Sequence, residues 1–431
     1  MSRSAQKLTQ FPGMVTFVVA APVLWLIAAI VGLVERNVLH RPKEFWYPFF
    51  PGDSFTDLTI FRPHFATFGT PQFWQHRSFP FTYPAPDALA FEAFFSIPGH
   101  QERYFLLFII ASAVVAAIAA GRGLLRRGLE FDSALLFVGV ALMTSYPFMF
   151  LFDRANIEIM SWIFVSLAIA ALWCERWNWA GALLGVAISL KLFPFVLLGL
   201  FLPRKKFVAA LIAIVTTVAL DIVSLAILGP TVRIANQQIA FGLRFFQDLY
   251  IHEFHPFEIP FDHSLFAVVK HVAVHLQMDA PAHLARFADW YMWIAALAAL
   301  VLYLARIVWL PRVNQIVILL TLSILLPPVS GDYTLVHLYA GWMVLALFAV
   351  NVEPGVIRSR VLPACFLILA VVFCPETYLL IGQAHVAGSF KALALSALVV
   401  ILLVYPLEEK SPRCCESKAR LGFDWSGRSS S

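Results

Sequence analysis

The chain has 431 residues, 60% of them hydrophobic and 13% charged, with a mean hydropathy of +0.79 and a formal net charge of +5. One soluble core cannot hide that much apolar surface, so the composition excludes a water-soluble enzyme and points to an integral membrane protein. The basic residues are dispersed at the ends of apolar runs and form no patch, which excludes nucleic acid as a partner and leaves membrane lipid.

Apolar runs of roughly 17–25 residues recur along the chain, the length a helix needs to cross a bilayer, and the ~10-residue alternating segments of a barrel are absent. The predicted fold is all-α and polytopic. Residues 14–34 make the first spanning helix, with no convincing signal-peptide cleavage site after them. A polar and aromatic loop, about 35–102, leads to 104–120 and the basic turn "GRGLLRRG" (121–128). Then come 131–152, 157–173 and 180–202, followed by 207–228 and a second loop, about 229–282. Residues 283–310, 314–326, 333–350, 361–381 and 388–405 complete about twelve helices, some short or broken, in a domain of residues 1–405. A basic tail, 406–431, follows. The positive-inside rule places both termini and the 121–128 turn in the cytoplasm, as expected for a multi-pass protein of the cell (cytoplasmic) membrane.

The run 180–202 is flanked by "CERWNW" (174–179) and by Arg204, Lys205 and Lys206, both on the basic side, so it cannot be a single crossing. Pro194 interrupts it, because proline cannot donate a backbone hydrogen bond. Two short helices that dip in and return fit both facts. Irregular backbone at that depth needs protein or a water-filled cavity over it, so the break predicts a pocket.

The polar clusters then fall on the side opposite the cytoplasm: Asp53 and Asp57 in the first loop, "DRANIE" (153–158), "DHS" (262–264) and "SGD" (330–332). Their coincidence suggests one extracytoplasmic site. Asp57 alone reads as a loop acid or helix cap, but beside so many Phe, Trp, Tyr and Pro it fits a carboxylate held at the membrane interface, able to serve as a general base. Lys191 lies in an apolar run, where a lysine costs roughly 2.5–3.5 kcal/mol, and therefore needs an acidic partner or a bound phosphate. In "DRANIE", Asn156 caps the helix that follows and Glu158 suits its positive end. Asp153 and Arg154 either pair with each other or leave Arg154 to grip an anion. His337 lies at the depth of a lipid phosphate. His271 and His275, spaced i,i+4, lack a third ligand fixed by spacing, so no metal and no other cofactor is predicted. Of the five cysteines, Cys414 and Cys415 are adjacent in the tail, and Cys174, Cys365 and Cys374 lie in or beside apolar runs; none forms a metal pattern.

The segments "DLTIF" (57–61), "FTYPAPDAL" (81–89), "DRANIE", "AGALLGVAISLKLFP" (180–194), "DHSLFAVVK" (262–270) and "PPVSGDYTLVH" (327–337) occur in an order that resembles glycosyltransferase family 87, within the C-type superfamily of polytopic enzymes using polyprenyl-phosphate sugars. The resemblance implies inverting transfer of a sugar, with mannose the expected one, from a polyprenyl-phosphate donor to a hydroxyl of a glycolipid or glycan acceptor. It implies Asp57 as base and Lys191, Arg154 and His337 around the donor phosphate. Asp53, Tyr83, Asp153, Asn156, Glu158, His263 and Asp332 become substrate-binding candidates. The chain departs from the family pattern at Ala155, where glycine is expected, and at Asp262 and His263, where Asn and Gln are common. The rival reading is a transporter or lipid flippase, which would carry an inverted repeat and coupling groups spread through the membrane depth.

Overall fold

In the computed structural model, which describes residues 6–41, 55–74, 79–99, 101–254, 259–351, 356–376, 379–381 and 384–407, nearly all regular structure is helical. The α-helices in chain order are α1 (Pro12–Asn37), α2 (Thr56–Thr59), α3 (Arg62–Phe65), α4 (Ala85–Phe95), α5 (Gln101–Arg126), α6 (Phe131–Met143), α7 (Tyr146–Arg154), α8 (Glu158–Trp173) and α9 (Trp177–Leu190). They continue as α10 (Phe207–Leu228), α11 (Val232–Phe246), α12 (Leu265–His275), α13 (Pro281–Ala305), α14 (Arg312–Leu325), α15 (Leu338–Asn351), α16 (Val356–Val372) and α17 (Ala387–Val404). A two-residue antiparallel pair, β1 (Leu380–Ile381) and β2 (Ala384–His385), lies between the last two. Asp53 and the Cys414–Cys415 pair lie outside the described residues.

Among the described residues, six stretches are long and apolar enough to cross a bilayer: α1, α5, α10, α13 with the turn to Trp309, Asp332–Asn351 and α17. Helices α6 and α7, bent by 45° at the Thr144–Ser145 break, make a seventh if taken as one span. Ser145 restarts the helix there by accepting the N–H of Phe148, ahead of Pro147. The twelve segments expected from the sequence are thus matched only by six or seven full-length spans. The remaining apolar helices, α8, α9, α12, α14 and Arg360–Val372, are shorter. A 14-residue helix such as α14 is ~21 Å long, less than the ~30 Å of hydrocarbon in a bilayer. Helix α14 is instead sheathed by protein, buried at every position from Val313 to Leu325. The outer helices do the opposite and turn Leu26, Val115, Val208 and Trp293 outward, a surface that suits lipid and not water.

Helix α9 and the 3-10 turn Phe193–Leu200 form the hairpin expected from the two basic flanks. Pro194 cannot donate to the carbonyl of Leu190, and its ring crowds that oxygen. Helix α9 therefore stops at Leu190, and Lys191 is extended at φ −144°, ψ 129°, so the break opens three residues before the proline. The chain then returns. Trp177, at the start of α9, lies 5.9 Å from the guanidinium of Arg204 and 5.4 Å from the ammonium of Lys206. Gly181 and Gly185, four residues apart on α9, face the carbonyls of Ala209 and Ala213 on α10, so closely that a Cβ at either glycine would collide with them. At the far end of α8, Trp173 takes Arg312 at 4.9 Å. One end of the α8–α9 pair is thus cationic, and the other carries Glu158 and Lys191.

The first-loop residues cover that second end. Phe61, Phe65, Phe73, Phe81 and Phe91, contributed by α3, α4 and the chain between them, pack into one buried aromatic cluster. Both ring nitrogens of His64 reach backbone carbonyls, Phe73 and Phe79, each at 2.9 Å, and clip the loop shut. Phe55, left-handed at φ 68°, donates its N–H to the carbonyl of Asp153 at 2.6 Å and fastens α2 to the end of α7. Helix α2 is thereby held where its Asp57 meets "DRANIE".

Candidate active site

Asp57 lies in the single turn of α2, its side chain only 12% exposed. Two guanidinium nitrogens of Arg154 converge on its Oδ1, Nε at 3.0 Å and Nη2 at 2.7 Å. The amide of Asn156 donates to Oδ2 at 2.6 Å. Against the two readings open for Arg154, a pair with Asp153 or a grip on an anion, the structure shows an ion pair with Asp57. Asp153 itself is buried, and its backbone carbonyl takes the N–H of Phe55. Asn156 also accepts the N–H of Glu158 at 2.8 Å, which supports the start of α8, and its amide reaches the hydroxyl of Tyr83 at 3.3 Å. Between Arg154 and Asn156 the backbone turns through Ala155 at φ 50°, ψ 49°, the left-handed region that favours the glycine expected there.

Glu158 is fully buried, with Nε2 of His337 at 2.7 Å from its Oε1 and the ammonium of Lys191 at 3.6 Å from its Oε2. The acidic partner that a membrane-embedded lysine requires is therefore supplied by the adjacent helix. Lys191 also stands 4.1 Å above the ring of Tyr83. His337 ends the 3-10 turn that starts at Asp332, and the ring of Phe193 meets it edge-on at 5.0 Å. The residues run as a chain, Arg154–Asp57–Asn156–Tyr83–Lys191–Glu158–His337, and join the first loop, "DRANIE", the α9 break and the start of α15 in one place. Burial pushes the Tyr83 phenol well above its ordinary range, and the nearby Asp57, Tyr333, Asp87 and Glu158 push in the same direction.

Asp87, quoted in "FTYPAPDAL" but not singled out by sequence reasoning, belongs to this cluster. It lies in the first turn of α4, fully buried, and among the described residues neither of its carboxylate oxygens has a hydrogen-bond partner. Burial raises its pKa well above the usual carboxylate range, only partly offset by Lys191. The signal available in the sequence was its position just beyond Tyr83 in a quoted motif; an acid in a first turn is ordinarily discounted as a helix-end residue.

His263 and Asp332 do not join this cluster. They form a second buried network in which Asp332 accepts from Tyr146 at 2.5 Å and Lys391 at 2.6 Å and pairs with His263 Nδ1 at 3.1 Å. The other nitrogen of His263 meets Ser330 and Thr334, at 3.1 and 3.2 Å. Burial pushes the Asp262 carboxyl up, against the backbone N–H groups of Ser264 and Ser330 that bond it. Rings of Tyr146, Phe150 and Tyr333 lie between the two networks. Lys391 was missed although it carries the same sequence signal as Lys191, a lone lysine inside an apolar run. His271 hydrogen-bonds Ser389 at 2.7 Å. A small cavity of about 10 Å³ between α8, α9 and the 193–200 turn is lined only by apolar side chains such as Leu172, Leu184 and Leu197, and is a packing void, distinct from the charged cluster.

The cluster places two carboxylates, two cations and a histidine at one end of a helical membrane protein, an arrangement suited to holding an anion beside a hydroxyl that must lose a proton. Comparison with curated proteins and with solved structures finds no match. The model of glycosyltransferase family 87 matches residues 81–330, taking in Tyr83, Asp87, "DRANIE", Lys191 and "DHS" and leaving Asp57 and His337 to either side. That match covers more than half of the chain, and the protein belongs to glycosyltransferase family 87.

Proposed function

We propose that this membrane glycosyltransferase moves a sugar from a polyprenyl-phosphate donor to an acceptor hydroxyl with inversion, using Asp57 as general base. The observation that carries the reading is the join of Asp57 to Lys191 through Asn156 and Tyr83, which brings a carboxylate and an ammonium group to one site. Family membership decides for a transferase over a transporter or flippase.

In the reaction, the acceptor oxygen attacks the anomeric carbon as the bond from that carbon to the phosphate oxygen breaks. The electron pair leaves with polyprenyl phosphate, and the hydroxyl proton passes to Asp57. Oδ2 has a lone pair beyond the one that Asn156 uses, so the proton has a place to go. Arg154 holds the carboxylate in one orientation through two nitrogens on Oδ1, which suits a late proton transfer in an oxocarbenium-like transition state. The leaving phosphate gains negative charge, and Lys191, with His337 behind Glu158, is placed to meet it; exclusion of water by the aromatic loop strengthens that attraction. Mannose is the first sugar to test, with a glycolipid or glycan as acceptor.

By the positive-inside rule, the end bearing Arg204, Lys206 and Arg312 faces the cytoplasm, which puts the site on the extracytoplasmic side of the cell membrane. A lipid donor reaches that side without a nucleotide. Asp57→Asn in purified enzyme is expected to slow transfer by about 10²–10⁴-fold with donor binding retained. Unchanged turnover would remove Asp57 as the base.

A further inference from the structure

Asp87 is a carboxyl group with nothing to do in the resting protein. An acid in the first turn of a helix ordinarily folds back to accept the helix's own N–H groups. Here Pro84 and Pro86 have no N–H to offer, the N–H of Asp87 itself bonds the carbonyl of Pro84 at 3.1 Å, and the side chain accepts nothing. On its own helix the neighbours are apolar, since Ala85, Ala88 and Phe91 are buried in the aromatic cluster. The position is more polar than packing requires.

Its neighbours point to a ligand. Lys191 and Glu158 are the charges that act on Asp87, and Tyr83 lies beneath Lys191 and is itself influenced by Asp87. Among the described residues, four more buried polar atoms lack hydrogen-bond partners, on Glu158 and on residues that bond it or stand one turn along its helix: Oε2 of Glu158, Nδ1 of His337, Oγ of Ser161 and Nε1 of Trp162. Ser161 and Trp162 stand one turn along α8 from Glu158. Buried polar atoms are normally satisfied, so these orphans around one ion pair mark a place where polar ligand atoms belong.

We infer that Asp87 recognises the transferred sugar, its carboxyl group hydrogen-bonding hydroxyls of the ring whose phosphate sits at Lys191. Held neutral by burial, it carries one O–H donor and a free acceptor oxygen, the complement of a hydroxyl pair in which each group both donates and accepts. A neutral acid also adds no second negative charge beside Lys191, which already pairs with Glu158. The inference rests on the lipid-donor reading and extends it by assigning the sugar subsite to α4.

The test compares two ligands, a short-chain polyprenyl phosphate with and without mannose, titrated against full-length protein in detergent. Asp87→Val is expected to weaken binding of the mannose-bearing lipid by about 10- to 100-fold, the effect of losing hydrogen bonds worth one to two decades, and to change the sugar-free lipid less than threefold. Equal losses for both lipids, or no loss for either, overturn the inference. Binding of neither lipid by the unaltered protein overturns the donor reading and the inference with it. A second measurement needs no variant. Dicyclohexylcarbodiimide, an apolar reagent that adds to protonated carboxyl groups to leave an N-acylurea, is expected to label Asp87, and the mannose-bearing lipid to protect it where the sugar-free lipid does not. Absence of label at Asp87 without lipid, or equal protection by both, overturns the assignment.

Discussion

Lys191 ends its helix 3.6 Å from Glu158, the residue that begins the helix before it. The pair joins the tip of the α9 hairpin to the mouth of α8, and His337 holds the other oxygen of the same carboxylate. Three segments far apart in sequence are tied through one acid, so the pair is a structural clasp, and in the proposed reaction its lysine is the point to which the phosphate is drawn.

Replacement of Lys191 by Met removes the cation and leaves Glu158 buried with only His337. The expected cost is on the order of 3 kcal/mol of stability. Adding Glu158→Gln should recover most of that stability without restoring donor binding. Thermal unfolding in detergent and titration with the lipid donor separate the two effects, and recovery of binding in the double variant would show that Lys191 acts only as a clasp.

Arg154→Lys keeps the charge but cannot place two N–H groups on Oδ1 of Asp57. Loss of one charge-assisted hydrogen bond, about 1.5–3 kcal/mol, corresponds to a rate decrease of roughly 10- to 100-fold if the transition state needs the carboxylate oriented. Steady-state transfer assays at saturating donor check this, and a wild-type rate would reduce Arg154 to a surface partner.

Ala155 sits at φ 50° in the turn between Arg154 and Asn156. Left-handed backbone costs a non-glycine residue about 1–2 kcal/mol. Ala155→Gly relieves this at the loss of one buried methyl, worth about 0.8 kcal/mol, so a net gain of ~0–1 kcal/mol is expected with activity kept. Ala155→Val should destabilise, since β-branching is hardest to accommodate there. Melting temperatures of the two variants test the sign.

Glu376 lies beyond α16, buried with one carboxylate oxygen unpartnered among the described residues, and burial raises its pKa to about 8, with Lys391 opposing and Asp332 reinforcing. The folded protein then holds a proton that the unfolded chain releases near pH 4.5. Between pH 4.5 and 8 the folded state binds more protons, so this group's contribution to stability falls as pH rises through that window. Glu376→Gln should flatten the dependence of melting temperature on pH between 5 and ~9. An unchanged slope would mean that Glu376 is ionised in the folded protein.

Much of the site was legible in the sequence because a bilayer punishes polar groups that lack a purpose. Lys191 stood out for that reason, and so did the basic flanks that required the 180–202 run to turn back. Asn156 and Glu158 were legible as helix-start residues, since capping is a local interaction. The choice of partners was not. Arg154 has Asp153 beside it in the chain but binds Asp57, because Phe55 ties α2 to the end of α7. His263 and Asp332 looked like companions of Asp57 by their side of the membrane, yet they pack into a separate network around Lys391. The count of twelve spans is not confirmed for a similar reason, six or seven being long enough among the described residues. An apolar run records that a segment avoids water, and α14 avoids it inside the protein as completely as α10 does at its lipid face.

Hydropathy, charge asymmetry and proline placement by themselves determined that this chain is a helical membrane protein with a broken segment beside a charged cluster, since each acts within a few turns of helix. Only the tertiary structure decided which carboxylate meets which cation and that, among the described residues, Asp87 has no hydrogen-bond partner. Those outcomes depend on the packing of distant helices, through contacts such as Gly181 and Gly185 against α10, whose close approach sets where the tip of α9 comes to rest.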